Sequence, residues 1–256
     1  MGASLVLVCR DESRARSAKD EIIRKTGNST IELITANLLL QNEVRKAAAE
    51  FQSNHSRLDV LINNAGTNYP RYAETEDGIE RTMAVNYFAP FLLTNLLSEL
   101  LEKTGSSRIV NVTSAGHFRA NLDLDNLTRD KRMGTYGLGA YARSKLALVL
   151  FTYELARRLD GKKVTANCLH PGTIRTSIWN HAGAMTPITK LASLFMKSAE
   201  EGARTTVYLA TSPDVKDVSG KYFDNCKPTS SSQESYNESL AARLWDLSLK
   251  ISHLLY

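Results

Sequence analysis

Tyr141 and Lys145 stand four residues apart in Tyr-Ala-Arg-Ser-Lys. That spacing puts both side chains on one face of a helix, one turn apart. A free phenol titrates at about 10, and a neighbouring ammonium favours the phenolate, so Lys145 is expected to draw Tyr141 down towards neutral pH. A tyrosine tuned in this way serves as a general acid or base. With ten Tyr and fourteen Lys in 256 residues, about half a Tyr-x-x-x-Lys match arises by accident. The motif therefore takes its weight from its company. Upstream lie Leu61-Ile62-Asn63-Asn64-Ala65-Gly66, then Asn86, then Ile109-Val110-Asn111-Val112-Thr113-Ser114, and downstream His170-Pro171-Gly172-Thr173.

Each of these has its own chemistry and its own plain alternative. Asn64, Ala65 and Gly66 follow an apolar run, and their small size lets backbone approach a flat ligand, although an ordinary turn has the same composition. Ser114 ends another apolar run and can donate a hydrogen bond to a carbonyl oxygen where charge develops; as a lone serine it would carry nothing. Taken alone, Asn86 reads as a helix-surface or kink residue rather than a functional one, and Pro171 to Thr173 as a turn. The five histidines, His55, His117, His170, His181 and His253, have no ligand spacing with cysteines or carboxylates, so no metal site is expected. No Gly-x-Ser-x-Gly elbow supports a hydrolase.

The elements that must position these residues follow from periodicity. Short runs rich in β-branched residues are predicted as strands at 5–9, 31–36, 60–63, 108–112, 164–169 and 221–223, and helical patterns at 14–25, 42–52, 78–101, 139–159 and 199–210. This alternation predicts a doubly wound α/β fold with a parallel sheet, as a single domain over 1–256. In such a sheet, ligands bind outside the carboxyl ends of the strands, where the candidate residues fall. Residues 180–197 form an insertion before the last of these helices. The final twenty residues, with Leu240, Leu244, Leu247 and Ile251 at helical spacing, predict an amphipathic helix docked on the core, a membrane or partner contact being the alternative.

Composition narrows the class. A net charge of +5 is spread along the chain with no basic run, which argues against nucleic acid as a partner. Cys9, Cys168 and Cys226 are few and far apart, as in a reducing compartment. No apolar stretch is long enough to span a bilayer, and the N-terminus lacks a signal-peptide pattern. The chain as given thus reads as cytoplasmic, with oligomeric state open.

Taken in order, these motifs resemble the short-chain dehydrogenase/reductase family, and most of all its retinol dehydrogenase branch. The branch resemblance rests also on Cys9-Arg10-Asp11, on Phe151 to Leu159, on Ser219-Gly220-Lys221-Tyr222-Phe223 and on Ala242-Arg243-Leu244-Trp245-Asp246. It implies a Rossmann-like fold and a nicotinamide cofactor. Tyr141 would be the proton donor or acceptor, Ser114 would bind the substrate oxygen, Lys145 would hold the cofactor ribose, and Asn86 would hold a water linking Lys145 to solvent. Asn64, Ala65, Gly66, Pro171, Gly172, Thr173 and Thr176 would line the cofactor, and 180–197 would be the substrate lid. An acidic residue at the end of the second strand would favour NAD; here Cys9 is followed by Arg10, which favours NADP. At Asn37, before Leu38, the family usually has an Asp that contacts adenine, and an amide can still accept one hydrogen bond.

One family element is absent from the sequence: a strand, a Thr-Gly-x-x-x-Gly-x-Gly loop and a helix ahead of the run at 5–9. No G-x-G-x-x-G occurs elsewhere, so the chain reads as N-terminally truncated, with the diphosphate losing its backbone donors and the sheet its central strand. Two readings follow. In the first, the parent is an NADP(H)-dependent enzyme interconverting a small apolar carbonyl and its alcohol, retinal and retinol among them. An anchor in the missing N-terminus, or the C-terminal helix, could attach that parent to the endoplasmic reticulum or another membrane. In the second, the chain is a cofactor-free pseudoenzyme or interaction protein.

Overall fold

The computed structural model describes residues 2–172 and 199–254. Strand β1 (Leu5–Cys9) leads into helix α1 (Glu12–Thr26), which is capped at both ends. Asp11 accepts a hydrogen bond from the Arg14 N–H, and Gly27, at φ 70°, returns its N–H to the Ile23 carbonyl. β2 (Ile31–Thr35) pairs with β1 in parallel, Leu5 opposite Ile31. Helix α2 (Gln41–Asn54) turns Val44, Ala47 and Ala48 inward.

The second half of the sheet begins with β3 (Val60–Asn63) and continues through β4 (Ser107–Val112), β5 (Val164–His170) and β6 (Tyr222–Asp224), all parallel. A seventh strand, β7 (Lys227–Thr229), absent from the sequence reading, closes the sheet antiparallel to β6. The two-residue turn between them puts Asn225 and Cys226 at positive φ (48° and 63°), the twist a tight hairpin needs.

β1–β2 and β3–β7 form two separate sheets. β1 and β3 share no ladder, and each is an edge strand. The effect on burial is direct. Every residue of β1 is only partly buried, and Ile62, in the middle of β3, is 42% exposed.

The helix predicted over 78–101 is broken into pieces. Arg81–Met83 (α3) runs into a π-helical segment, Ala84–Phe88, and then α4 (Ala89–Leu96), before α5 (Ser98–Thr104). Pro90 supplies a reason, since it has no N–H to donate to the carbonyl of Asn86 four residues back. Helix α6 (Leu138–Arg158) is the centre of the core, buried almost all round from Ala140 to Leu155. Past the second undescribed segment, α7 (Ala199–Thr211) packs against β4. The last helix, α8 (Glu238–Ile251), lays Ala241, Leu244 and Trp245 against α6, with Leu240, Leu247 and Ile251 packed at the edge of the same cluster. Its apolar face is therefore spent on the core. Among the described residues no helix is long and apolar enough to cross a membrane.

Candidate active site

Three strand ends and one helix converge. β3 ends at Asn63, whose buried amide donates to Thr94 Oγ1 (3.1 Å) and Asn111 Oδ1 (2.7 Å), locking β3 to β4 and α4. Asn64 and Ala65 then lie exposed, and Gly66 turns inward. A Cβ on Gly66 would sit 3.4 Å from Lys145 Nζ and 3.7 Å from Asn86 Oδ1. The turn is held from below by the π-helical segment. Asn86 is fully buried, accepts from the Thr67 N–H (2.8 Å), and donates to the Thr67 carbonyl and Ser144 Oγ (both 2.9 Å). The side chain of Asn86 thus ties the π-helical segment to the 67 turn and to α6.

β4 is followed by Thr113, bonded to the Leu169 carbonyl through both N–H and hydroxyl (2.8 Å each), and then by Ser114 in extended backbone. Ser114 Oγ accepts from the Gly116 N–H (3.1 Å) and is hydrogen-bonded to the Tyr141 side chain. Tyr141 reaches this place because α6 begins close to the 64–69 segment. Gly137, at φ 79°, lies so near the Tyr69 carbonyl that a Cβ would come within 2.1 Å of it, so only glycine allows the approach. One turn on, Lys145 is buried, with Nζ 5.8 Å from the Tyr141 ring centre and donating to the Val112 carbonyl (2.8 Å).

The electrostatics depart from the sequence expectation. Lys145 does not draw Tyr141 down: burial pushes the phenol above its ordinary value, and only the Ser114 hydrogen bond opposes this. Burial also lowers Lys145 itself to about 8. Desolvation is the first cause of both shifts, and the ammonium donates to the Val112 carbonyl.

The remaining candidates are scattered. Arg10 is exposed at the end of β1, and its guanidinium has no partner among the described residues. Asn37 Oδ1 is occupied by the Leu39 N–H (3.2 Å), and Leu38 packs on Val44, Ala89 and Leu92. Arg10 and Asn37 follow β1 and β2, while Leu38 reaches α4. Pro171 and Gly172 (φ 84°) follow β5. Thr173, Thr176 and the 180–197 insertion lie outside the described residues.

Sequence reasoning missed two groups that touch the Ser114 segment. His117 is fully buried, its Nδ1 2.6 Å from the Ser114 carbonyl, while the Ala115 N–H donates to His170 Nδ1 (3.2 Å). His170 was in view as part of the His-Pro-Gly motif, but spacing alone does not show what its ring meets.

The chain is similar to known proteins over nearly its whole length. A family model described as enoyl-(acyl carrier protein) reductase, one of the short-chain dehydrogenase/reductase models, matches residues 1–223. Human retinol dehydrogenase 14 is 41% identical over 97% of this chain and 78% of its own length. Human polyprenol dehydrogenase is 36% identical over 100% and 79%. A crystal structure of an uncharacterized protein from Mycobacterium paratuberculosis superposes with a TM-score of 0.77 at 30% identity, covering 98% of this chain and 85% of that one. By these matches across nearly its whole length, the chain belongs to the short-chain dehydrogenase/reductase family of oxidoreductases.

Proposed function

We propose that the protein interconverts an apolar carbonyl compound and its alcohol with NADP(H), Tyr141 acting as the general acid or base. The observation that carries this reading is the convergence of Ser114, Tyr141 and Lys145, with the phenol hydrogen-bonded to the serine and the ammonium one turn below. Bound NADPH would supply the hydride. This chain's residues do the rest: Ser114 Oγ orients the substrate oxygen, Tyr141 gives that oxygen its proton, and Lys145 keeps a positive charge beneath the site. At neutral pH a phenol held above its ordinary value is protonated, the form that reduction requires.

The residues present fit the ends of the dinucleotide better than its middle. Gly66 leaves the space beside Lys145 open, as a ribose against that ammonium would require. Arg10, unpaired among the described residues, suits a 2′-phosphate. For the diphosphate, however, no glycine-rich turn opens a helix among the described residues, and α1 begins with Asp11 and Glu12, whose carboxylates repel phosphate. Binding of NADPH is therefore expected to be weak.

An apolar substrate is supported by the rim. Tyr136 and Leu138 are 63% and 41% exposed, and Leu138 lies on the same helical face as Tyr141, one turn before it. Relatives named for retinol and polyprenol cover nearly the whole chain, which favours isoprenoid-like alcohols and aldehydes over the enoyl thioester in the family model's description.

The test is calorimetric titration of NADPH into the full chain, followed by reduction of retinal. Saturable binding with turnover, abolished in Tyr141→Phe while NADPH binding persists, is the expected result; near-native turnover in Tyr141→Phe would remove the tyrosine's role. The split sheet favours a second reading, a cofactor-free interaction protein. A folded chain that binds no NADPH would establish that alternative.

A further inference from the structure

The peptide that joins Ser114 to Ala115 is held from both sides by imidazoles. Its carbonyl lies 2.6 Å from His117 Nδ1, and its N–H donates to His170 Nδ1 at 3.2 Å. A carbonyl oxygen only accepts, so His117 carries its proton on Nδ1. On the far side of the same ring, Nε2 faces the Ser232 N–H at 3.1 Å. An amide N–H only donates, so Nε2 is bare. The two contacts together leave His117 a single form, neutral with Nδ1–H. At His170 the logic reverses: an N–H aimed at Nδ1 requires that nitrogen to be bare.

We propose that His117 and His170 are positioning residues that grip the Ser114–Ala115 peptide and thereby aim Ser114 Oγ at Tyr141. The grip is rigid because its ends are anchored in different parts of the fold. His117 is fully buried, its ring 4.2 Å from Phe118 and 5.0 Å from Tyr222 between centroids, and Ser232 ties it to the segment after β7. That segment is itself braced, since Ser231 Oγ is bonded to Tyr153 of α6 and to Ser235 (2.7 and 2.6 Å). His170 is the last residue of β5. The serine, two residues past β4, is thus set also by the end of β5 and by the segment after β7.

The inference rests on the roles proposed for Ser114 and Tyr141, so its test includes readouts that need no turnover. In the 15N-labelled full chain, imidazole resonances should report the Nδ1–H tautomer for His117 and an unprotonated Nδ1 for His170. His117→Phe removes the donor, whereas His117→Asn keeps an N–H near the position of Nδ1; likewise His170→Asn keeps an acceptor that His170→Phe lacks. With the Ser114 bond loosened, the Tyr141 phenol, followed through its 13Cζ shift, should titrate higher in both Phe variants and return towards native in the Asn variants. If the chain turns over, the Phe variants should lose about 10²-fold in kcat with little change in KM, the cost of a misaimed group, and the Asn variants should recover most of it. The opposite tautomer at His117, or a Tyr141 titration that ignores all four substitutions, would overturn the proposal. Absence of turnover with the expected tautomers and titration shifts would refute the catalytic reading alone and leave the grip standing.

Discussion

Lys145 sets the pH behaviour expected of the site. Burial holds its ammonium at about 8 and keeps Tyr141 above the ordinary phenol value. Reduction needs a protonated phenol and a charged lysine, so kcat/KM for an apolar aldehyde should be level below about 8 and fall as pH rises through it. A pH profile that keeps rising past that point would contradict the assignment. His117 acts on stability instead. Burial lowers its folded value, so as pH falls below the ordinary histidine range, about 6.5, the unfolded chain takes up a proton that the native chain refuses. Its contribution is intact above that range and is lost on acidification. Urea unfolding of the native chain should weaken between neutral pH and about pH 5, and His117→Asn should show a shallower decline. At the rim, Leu138→Glu should raise KM for retinal by about tenfold or more, the scale of one unburied leucine, while leaving a small hydrophilic aldehyde unaffected.

Among the elements, the β1–β2 pair is the weakest. It has two strands, the first only partly buried along its whole length, and edges on both sides, whereas β4 and β5 are buried between neighbours. Native-state hydrogen exchange should therefore find the amides of Leu5–Cys9 and Ile31–Thr35 opening well before those of Ser107–Val112 and Val164–His170. Equal protection would mean that the two sheets unfold as one. The predicted strands and most helices agree with the structure because period-2 and period-3.6 patterns are local. The run at 78–101 does not, since periodicity continues through residues whose backbone bonding has changed. The signal for the break was nevertheless present in Asn86 and Pro90, four residues apart.

At the scale of the whole molecule, stability centres on α6 and what packs on it. Phe91, Phe151 and Trp245 meet with ring centroids 5.3 to 5.7 Å apart, and Tyr87 joins them while bonding Ser248 through its hydroxyl (2.7 Å). Trp245→Ala empties the contact between α6 and α8 and should cost about 3–5 kcal/mol in urea unfolding. The cost should fall mainly on folding, because Trp245 lies on the far helix and not among the residues around Tyr141.

By itself the sequence determined the order of elements along the chain and the placing of Tyr141 and Lys145 on one helix face, which rest on periodicity and helical spacing, and its motifs carried the family resemblance, which is what implied Asn86 and Ser114 as their companions. It also showed that the segment expected to bind diphosphate is not among these residues. Only the tertiary structure decided that Tyr141 is pushed up and not drawn down, that the Asn86 side chain is bonded to Thr67, and that His117 is fixed by Ser232, 115 residues away. The reason is the same in each case. Desolvation and long-range hydrogen bonds depend on what the fold packs around a group, and no local spacing records that.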